Sequence, residues 1–302
     1  MEQLREREAV ILKGVGGQYL LHRYQPEFQG LAVPRGIFRK NNQIPLPGDR
    51  VVYADSGDPD IPYIIDQILP RKNELKRPPM ANLDLLLITI SAALPEADLF
   101  LVDRLIAYAL FLKIQPVLLL TKLDLAGLDS DAYQTIQNNY RQTGLEIIEL
   151  ARGLEDELDR LKDLISGQLV AFAGQSGVGK STLLNRLFGQ DLMETGDLSK
   201  KVGRGKQTTR HIELFPYRNS YIADTPGFQT INFDQIQISP EEFTASYPEF
   251  KNLAGDCRFS NCSHSHEPGC KVITASADQI FPERLKRYQI LRKEIEEAMG
   301  RY

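Results

Sequence analysis

One stretch carries a pattern whose chemistry is specific: Gly174-Gln175-Ser176-Gly177-Val178-Gly179-Lys180-Ser181, which reads GxxxxGKS. Glycines at 174, 177 and 179 let the backbone curl until its N–H groups converge on phosphate oxygens. Lys180 then reaches the β- and γ-phosphates, the Ser181 hydroxyl ligates Mg²⁺, and Thr182 completes the nucleotide-contacting run. A helix starting at this point adds partial positive charge at its N-terminus.

Two further short motifs fit the same chemistry. Asp224-Thr225-Pro226-Gly227 follows a short apolar run. An Asp at the carboxyl end of a strand can hold Mg²⁺, directly or through water, and the Gly227 N–H can bond a γ-phosphate and sense its presence. Thr121-Lys122-Leu123-Asp124 ends another apolar run and resembles the base-reading NKxD motif of GTPases. An Asp carboxylate there accepts from guanine N1–H and the 2-amino group, and adenine has no such donor pair. Thr121 stands where those proteins usually have Asn, so the side-chain amide that braces the phosphate loop is missing, and a hydroxyl can do part of that work.

The cysteines mark a different chemistry. All three, Cys257, Cys262 and Cys270, fall within a short segment that also holds His264 and His266. Three thiolates and an imidazole make a closed Cys₃His zinc set, and an odd count excludes a fully paired disulfide framework. The spacing leaves either histidine open as the fourth ligand.

The elements that position these groups follow from patterning. Leu169 to Ala173 reads as a buried strand and Ser181 to Phe188 as a helix, with Leu183, Leu184, Leu187 and Phe188 on one face. Upstream, Leu85 to Ile90 and Val117 to Leu120 are apolar runs, Leu145 to Leu150 is a third strand, and helices are expected over 101–112, 131–143 and 155–165. That alternation calls for a parallel sheet covered by helices. His211 to Pro216 and Ser220 to Ala223 read as a hairpin turned at Arg218-Asn219. Residues 1–70 are β-rich, with strands at 9–12, 18–23, 30–33 and 50–54, and suit a small closed barrel. Patterning alone leaves an OB-fold and an SH3-like barrel both open. Arg35, Arg39 and Lys40 around Phe38 suit phosphate contact and base stacking. Arg71-Lys72, in the basic run 71–79, reads as a linker that touches phosphates. Residues 235–302 form a small helical domain ending in a helix over 282–299, whose Arg284, Lys286, Arg287, Arg292 and Lys293 face RNA or solvent.

The chain has 302 residues, 42% hydrophobic and 25% charged, which is the composition of a globular protein of several domains. It has no apolar run long enough to span a membrane, and its charged start is unlike a secretory signal, so a cytoplasmic protein without membrane contact is expected. The net charge of −4 restricts nucleic-acid contact to local patches.

The order of the motifs is unusual: Thr121-Lys122-Leu123-Asp124 precedes the phosphate loop, and nothing like it follows Gly227. The chain resembles a circularly permuted GTPase. Within that group it resembles the ribosome small subunit-dependent GTPase A family, through Arg35 to Lys40, Pro47-Gly48-Asp49-Arg50-Val51, Arg71-Lys72-Asn73, Gly203 to Thr209, Asp224 to Phe228, the two nucleotide motifs and the cysteine segment. The resemblance implies an OB-fold over 1–70, a permuted GTPase domain over 71–234 and a zinc domain over 235–302. It favours His264 as the fourth zinc ligand. It also implies a GTPase that converts GTP to GDP and phosphate when stimulated by the small (30S) ribosomal subunit, contacts rRNA and acts late in maturation. The alternative is an RNA-binding nucleotide switch with negligible hydrolysis. Phe228 cannot orient water where many GTPases have Gln, so Gln207 is expected to do so, and Thr209 to complete the Mg²⁺ shell. A monomer is expected.

Overall fold

The computed structural model describes residues 7–40, 43–151, 153–188, 212–224 and 237–300. They group into two compact units: Met1–Leu85 with Asp163–Phe172 and Phe188–Gly227, and Leu86–Lys162 with Ala173–Leu187 and Phe228–Tyr302.

In the first unit, β1 (Glu8–Val15), β2 (Gln18–Arg23), β3 (Phe28–Pro34), β4 (Arg50–Asp55) and β5 (Tyr63–Ile68) close into a barrel of order β1-β2-β3-β5-β4. β3 and β5 run parallel and β4 closes antiparallel on β1. That order is the Greek-key closure of an OB barrel and excludes the SH3-like alternative. Alternate residues point inward, so Ile11, Leu21, Ala32, Val51 and Ile65 make the core. A short helix, α1 (Gly36–Lys40), adds Phe38 to that core. The segment expected to be a linker is instead a ribbon of β6 (Glu74–Lys76) and β7 (Pro79–Ala81). Gly48 lets this ribbon approach: a Cβ there would lie 2.0 Å from the Ala81 carbonyl oxygen.

The second unit carries β8 (Leu85–Ser91), β9 (Gln115–Thr121) and β10 (Glu146–Glu149), in the order β10-β9-β8, with β9 and β10 parallel. β8 is buried at every position, which is why it reads as an unbroken apolar run. Between the strands lie α2 (Leu99–Phe111), α3 (Leu123–Ala126) and α4 (Asp131–Tyr140), and α5 (Glu155–Ile165) follows β10. Asp98 caps α2 by accepting from Leu101 N–H, and Ser130 caps α4 by accepting from Tyr133 N–H. In the first unit, β11 (Leu169–Ala173) lies parallel to the later β13 (Ser220–Asp224), which turns back on β12 (Glu213–Tyr217) as the expected hairpin. α6 (Lys180–Phe188) follows the phosphate loop.

Past residue 237 the chain forms α7 (Pro240–Ala245), α8 (Lys251–Ala254) and the long α9 (Pro282–Met299). Ser239 and Glu242 form a reciprocal capping box at the start of α7. Phe243, Tyr247, Phe250, Tyr288, Leu291 and Ile295 build this region's core. Among the described residues no helix is long and apolar enough to cross a membrane.

Candidate functional site

β11 is buried along its whole length and delivers the chain into the loop at 174–179. Gly174 turns it at φ +125°, and a Cβ there would lie 2.3 Å from the Thr89 carbonyl oxygen, so glycine alone fits. Gly177 and Gly179 also have positive φ. Lys180 opens α6, and its ammonium donates to the carbonyls of Gly174, at 2.7 Å, and Gln175. Burial lowers its pKa to about 8. Ser181 and Thr182 are exposed on the first turn of α6, at the loop's mouth.

The segment Thr121 to Asp124 is tied to this loop. Thr121 is 6% exposed; its hydroxyl lies 2.6 Å from the Val178 carbonyl and 3.2 Å from that of Ile90, and its one proton suits the nearer acceptor. Lys122 adopts a left-handed φ of +61°, and its Nζ donates to the Gly177 carbonyl at 2.8 Å and to that of Leu94. Leu123 is buried and anchors α3, which leaves Asp124 exposed in the helix's first turn. Thr121 thus supplies the brace that the motif's usual Asn would give, with a hydroxyl in place of an amide.

β11 and β13 are parallel with Ala171 opposite Ala223, so the carboxyl ends of these two strands point the same way. Asp224 ends β13, and its side chain lies outside the described residues. Gln207, Thr209, Gly227 and Phe228 also lie outside them.

The cysteine segment converges without help from regular structure. The ligand atoms of Cys257, Cys262, His264 and Cys270 all lie within 4.8 Å of one another. Cys257 Sγ is 3.9 Å from Cys270 Sγ and 3.7 Å from His264 Nδ1, which is 3.3 Å from Cys270 Sγ. Two thiolates bound at 2.3 Å on a tetrahedral ion would stand about 3.8 Å apart, so the set fits one metal ion. The backbone N–H groups of Lys271 and Ile273 donate to the sulfurs of Cys257 and Cys270, which favours thiolates. Glu267 accepts from the N–H groups of Ser263, Ser265 and His266 and holds the loop in shape. His264, 3% exposed, is the histidine that the fold brings to the cysteines.

The basic patch on the barrel needs correction. Phe38 is 6% exposed inside the barrel, because α1 plugs its end, and offers no face for base stacking. Arg71 is a structural clamp: its Nε and Nη2 grip both oxygens of the fully buried Asp49 at 2.7 Å, its Nη1 donates to Glu74 and its Nη2 also to the Ile44 carbonyl. Those bonds leave it no fork to offer a phosphate. Lys72 pairs with Asp84, and Arg35 with Asp66 at 2.6 Å. The side chains of Arg39 and Lys40 lie outside the described residues. In α9, Arg284, Arg287 and Arg292 are buried and meet neither RNA nor solvent, while Lys286 and Lys293 are exposed. Sequence reasoning missed the pairing of Asp98 N–H with Gln175 Oε1, at 2.9 Å, and the acids that bury Arg284 and Arg287.

Comparison with known proteins agrees with this geometry. Residues 68–234 match the family described as RsgA GTPase. The chain is 42% identical, over 95% of its length and 93% of the relative's, to a small ribosomal subunit biogenesis GTPase RsgA of Ruminiclostridium cellulolyticum. It is 39% identical, over 98% and 99%, to the protein of that name from Geobacillus thermodenitrificans. The crystal structure of YjeQ from Thermotoga maritima superposes with a TM-score of 0.79 at 28% identity, covering 98% of this chain and 99% of that one. YloQ, described as a circularly permuted GTPase, gives 0.79 at 32% identity over 98% and 96%. The strand that ends in Thr121 placed before the strand that leads into 174–179, an OB barrel ahead of both and a Cys₃His loop after them thus accompany similarity along nearly the whole length, and the chain belongs to the RsgA GTPase family.

Proposed function

We propose that this GTPase acts in biogenesis of the small ribosomal subunit, hydrolysing GTP to GDP and phosphate when docked on that subunit. Its relatives' names point to the process. The observation that supports the nucleotide reading is the double tie of Thr121 and Lys122 to the Val178 and Gly177 carbonyls, which joins the segment carrying Asp124 to that loop. Asp124 reads guanine, while residues 174–182 hold the phosphates. Ser181, Asp224 and Thr209 are assigned to Mg²⁺, which when bound offsets charge on the phosphates. Lys180 and the Gly227 N–H meet the γ-phosphate, and Gln207 positions water, since an amide is no general base near neutral pH. The Cys₃His ion is assigned as zinc, because a closed set of three thiolates and an imidazole suits it best. Contact with rRNA falls to the barrel through Arg35, Arg39 and Lys40. The division at 70/71 and 234/235, a monomeric state and a cytoplasmic location belong to the same reading.

Multiple-turnover phosphate release tests it, with GTP and ATP, with and without small subunits. GTP turnover should rise with subunits and ATP turnover should not. Equal rates with and without subunits would refute the ribosomal assignment.

A further inference from the structure

One buried cluster in the second unit contains no residue of the nucleotide motifs or of the metal loop. Asp103, on α2, is 1% exposed and accepts three hydrogen bonds. Its Oδ1 takes Arg284 Nη1 at 2.6 Å and the Tyr140 hydroxyl at 2.8 Å, and its Oδ2 takes Arg287 Nε at 2.7 Å. Arg284 also donates to the buried Glu249, and Arg287 Nη2 to Asn139 Oδ1 at 2.9 Å. Two carboxylates and two guanidiniums balance in charge. Such a cluster is poor evidence for stability, since apolar side chains of the same volume pack as well. Its directional bonds instead fix α9 against α2 in one register.

The N-terminus of α2, on the same half of the helix as Asp103, touches the phosphate loop. Asp98, its N-cap, accepts from Leu101 N–H through its side chain and donates its own N–H to Gln175 Oε1 at 2.9 Å. Asp98 and Asp103 are separated by about 7.5 Å of helix, a span over which a helix moves as a rod. Lys180 Nζ in turn donates to the Gln175 carbonyl, so this residue joins the loop's anchor to its phosphate-binding lysine.

We propose that Asp103, Arg284 and Arg287 are positioning residues for the phosphate loop, acting through α2 and the Asp98–Gln175 hydrogen bond. The proposal rests on the reading of 174–182 as the GTP site. It makes the C-terminal helix part of the nucleotide site's support, although no residue of α9 belongs to a nucleotide motif. Loss of the clamp frees α2 to shift, and the loop loses a fixed point beyond those that Thr121 and Lys122 supply.

The test is a double-substitution cycle on the full chain, read as GDP affinity and as KM and kcat for GTP. Arg287→Ala should raise KM and the GDP Kd about tenfold with little change in kcat. Arg287→Lys, which keeps the charge, should recover part of the loss. In a Gln175→Ala background, Arg287→Ala should change the Kd less than about twofold, because the link is already cut. A merely destabilised protein would lose kcat in proportion to its unfolded fraction at constant KM, and that result would overturn the proposal. So would equal effects in the two backgrounds. If Arg287→Ala does not fold, Asn139→Ala removes a brace on Arg287 and one bond to the Thr135 carbonyl within α4, and should give about a threefold KM shift that also vanishes without Gln175. Failure of the wild-type protein to bind GTP would instead refute the nucleotide reading, and the positioning role would fall with it.

Discussion

At 174–179 the backbone is held by other groups reaching its carbonyls: Thr121 takes Val178, Lys122 takes Gly177 and Lys180 takes Gly174. At 257–270 Glu267 accepts from three backbone N–H groups, and Tyr288 and Gln289 donate to the carbonyls of Ser263, His264 and Ser265, but the groups at the centre are four side chains turned inward on one another. The first loop is organised by the protein alone, so its shape precedes its ligand. The second gathers three thiols and an imidazole in a small region, an arrangement that suits one metal ion. The difference predicts where each is fragile: the phosphate loop to an added methyl group, the metal loop to a lost ligand.

The largest expected effect is on the metal loop. Cys262→Ser should reduce bound metal from one equivalent per chain to a small fraction of that, and raise hydrogen exchange across 257–273. Structural zinc in small domains is worth about 10–16 kcal/mol. One full equivalent retained in that variant would remove Cys262 from the ligand set. Next comes Gly174→Ala, whose Cβ would press on the Thr89 carbonyl at a φ that only glycine adopts readily. It should weaken nucleotide binding by at least about 2 kcal/mol, through strain and displacement of the loop. Unchanged affinity in a calorimetric titration would mean that the loop has room the geometry denies.

The smallest effect is a pH dependence. Burial lowers the Lys180 pKa to about 8, and bound phosphate must restore the ammonium. Below pH 8 the lysine is already charged and affinity should be flat. Above pH 8 binding must take up a proton, so affinity should fall by up to about tenfold per pH unit, and by less because the ammonium is partly solvated. Titrations at pH 8.5 in buffers of different ionisation enthalpy would show this uptake. Affinity constant up to pH 9.5 would contradict it.

Both loops were legible because scarce residue types sit at fixed spacings. Helices and strands with strong periodicity were equally legible: 155–165, 169–173 and 282–299 have the bounds that patterning gives. β5 was missed because Asp58, Pro59 and Asp60 precede it and Asp66 and Gln67 interrupt its apolar run. The ribbon at 74–81 read as linker because its prolines and charges hide two short strands. Charges misled where their partners are distant in sequence. Arg71 gives no sign of Asp49, nor Arg284 and Arg287 of Asp103, so each read as available for RNA. Phe38 misled for a related reason, since a short basic helix gives no sign that one of its residues closes a barrel.

The account stands most directly on Asp124 as the reader of the base. In Asp124→Asn the carboxylate that faces guanine N1–H and the 2-amino group becomes an amide, which pairs instead with the N1–H and 2-oxo group of xanthine. Turnover by that variant with GTP and with xanthosine triphosphate is the measurement. Transition-state binding for GTP should fall by roughly 2–4 kcal/mol while turnover of xanthosine triphosphate rises above that of the parent chain. An unchanged kcat/KM for GTP, with no gain for xanthosine triphosphate, would contradict the assignment of Asp124 and with it the guanine specificity of the site.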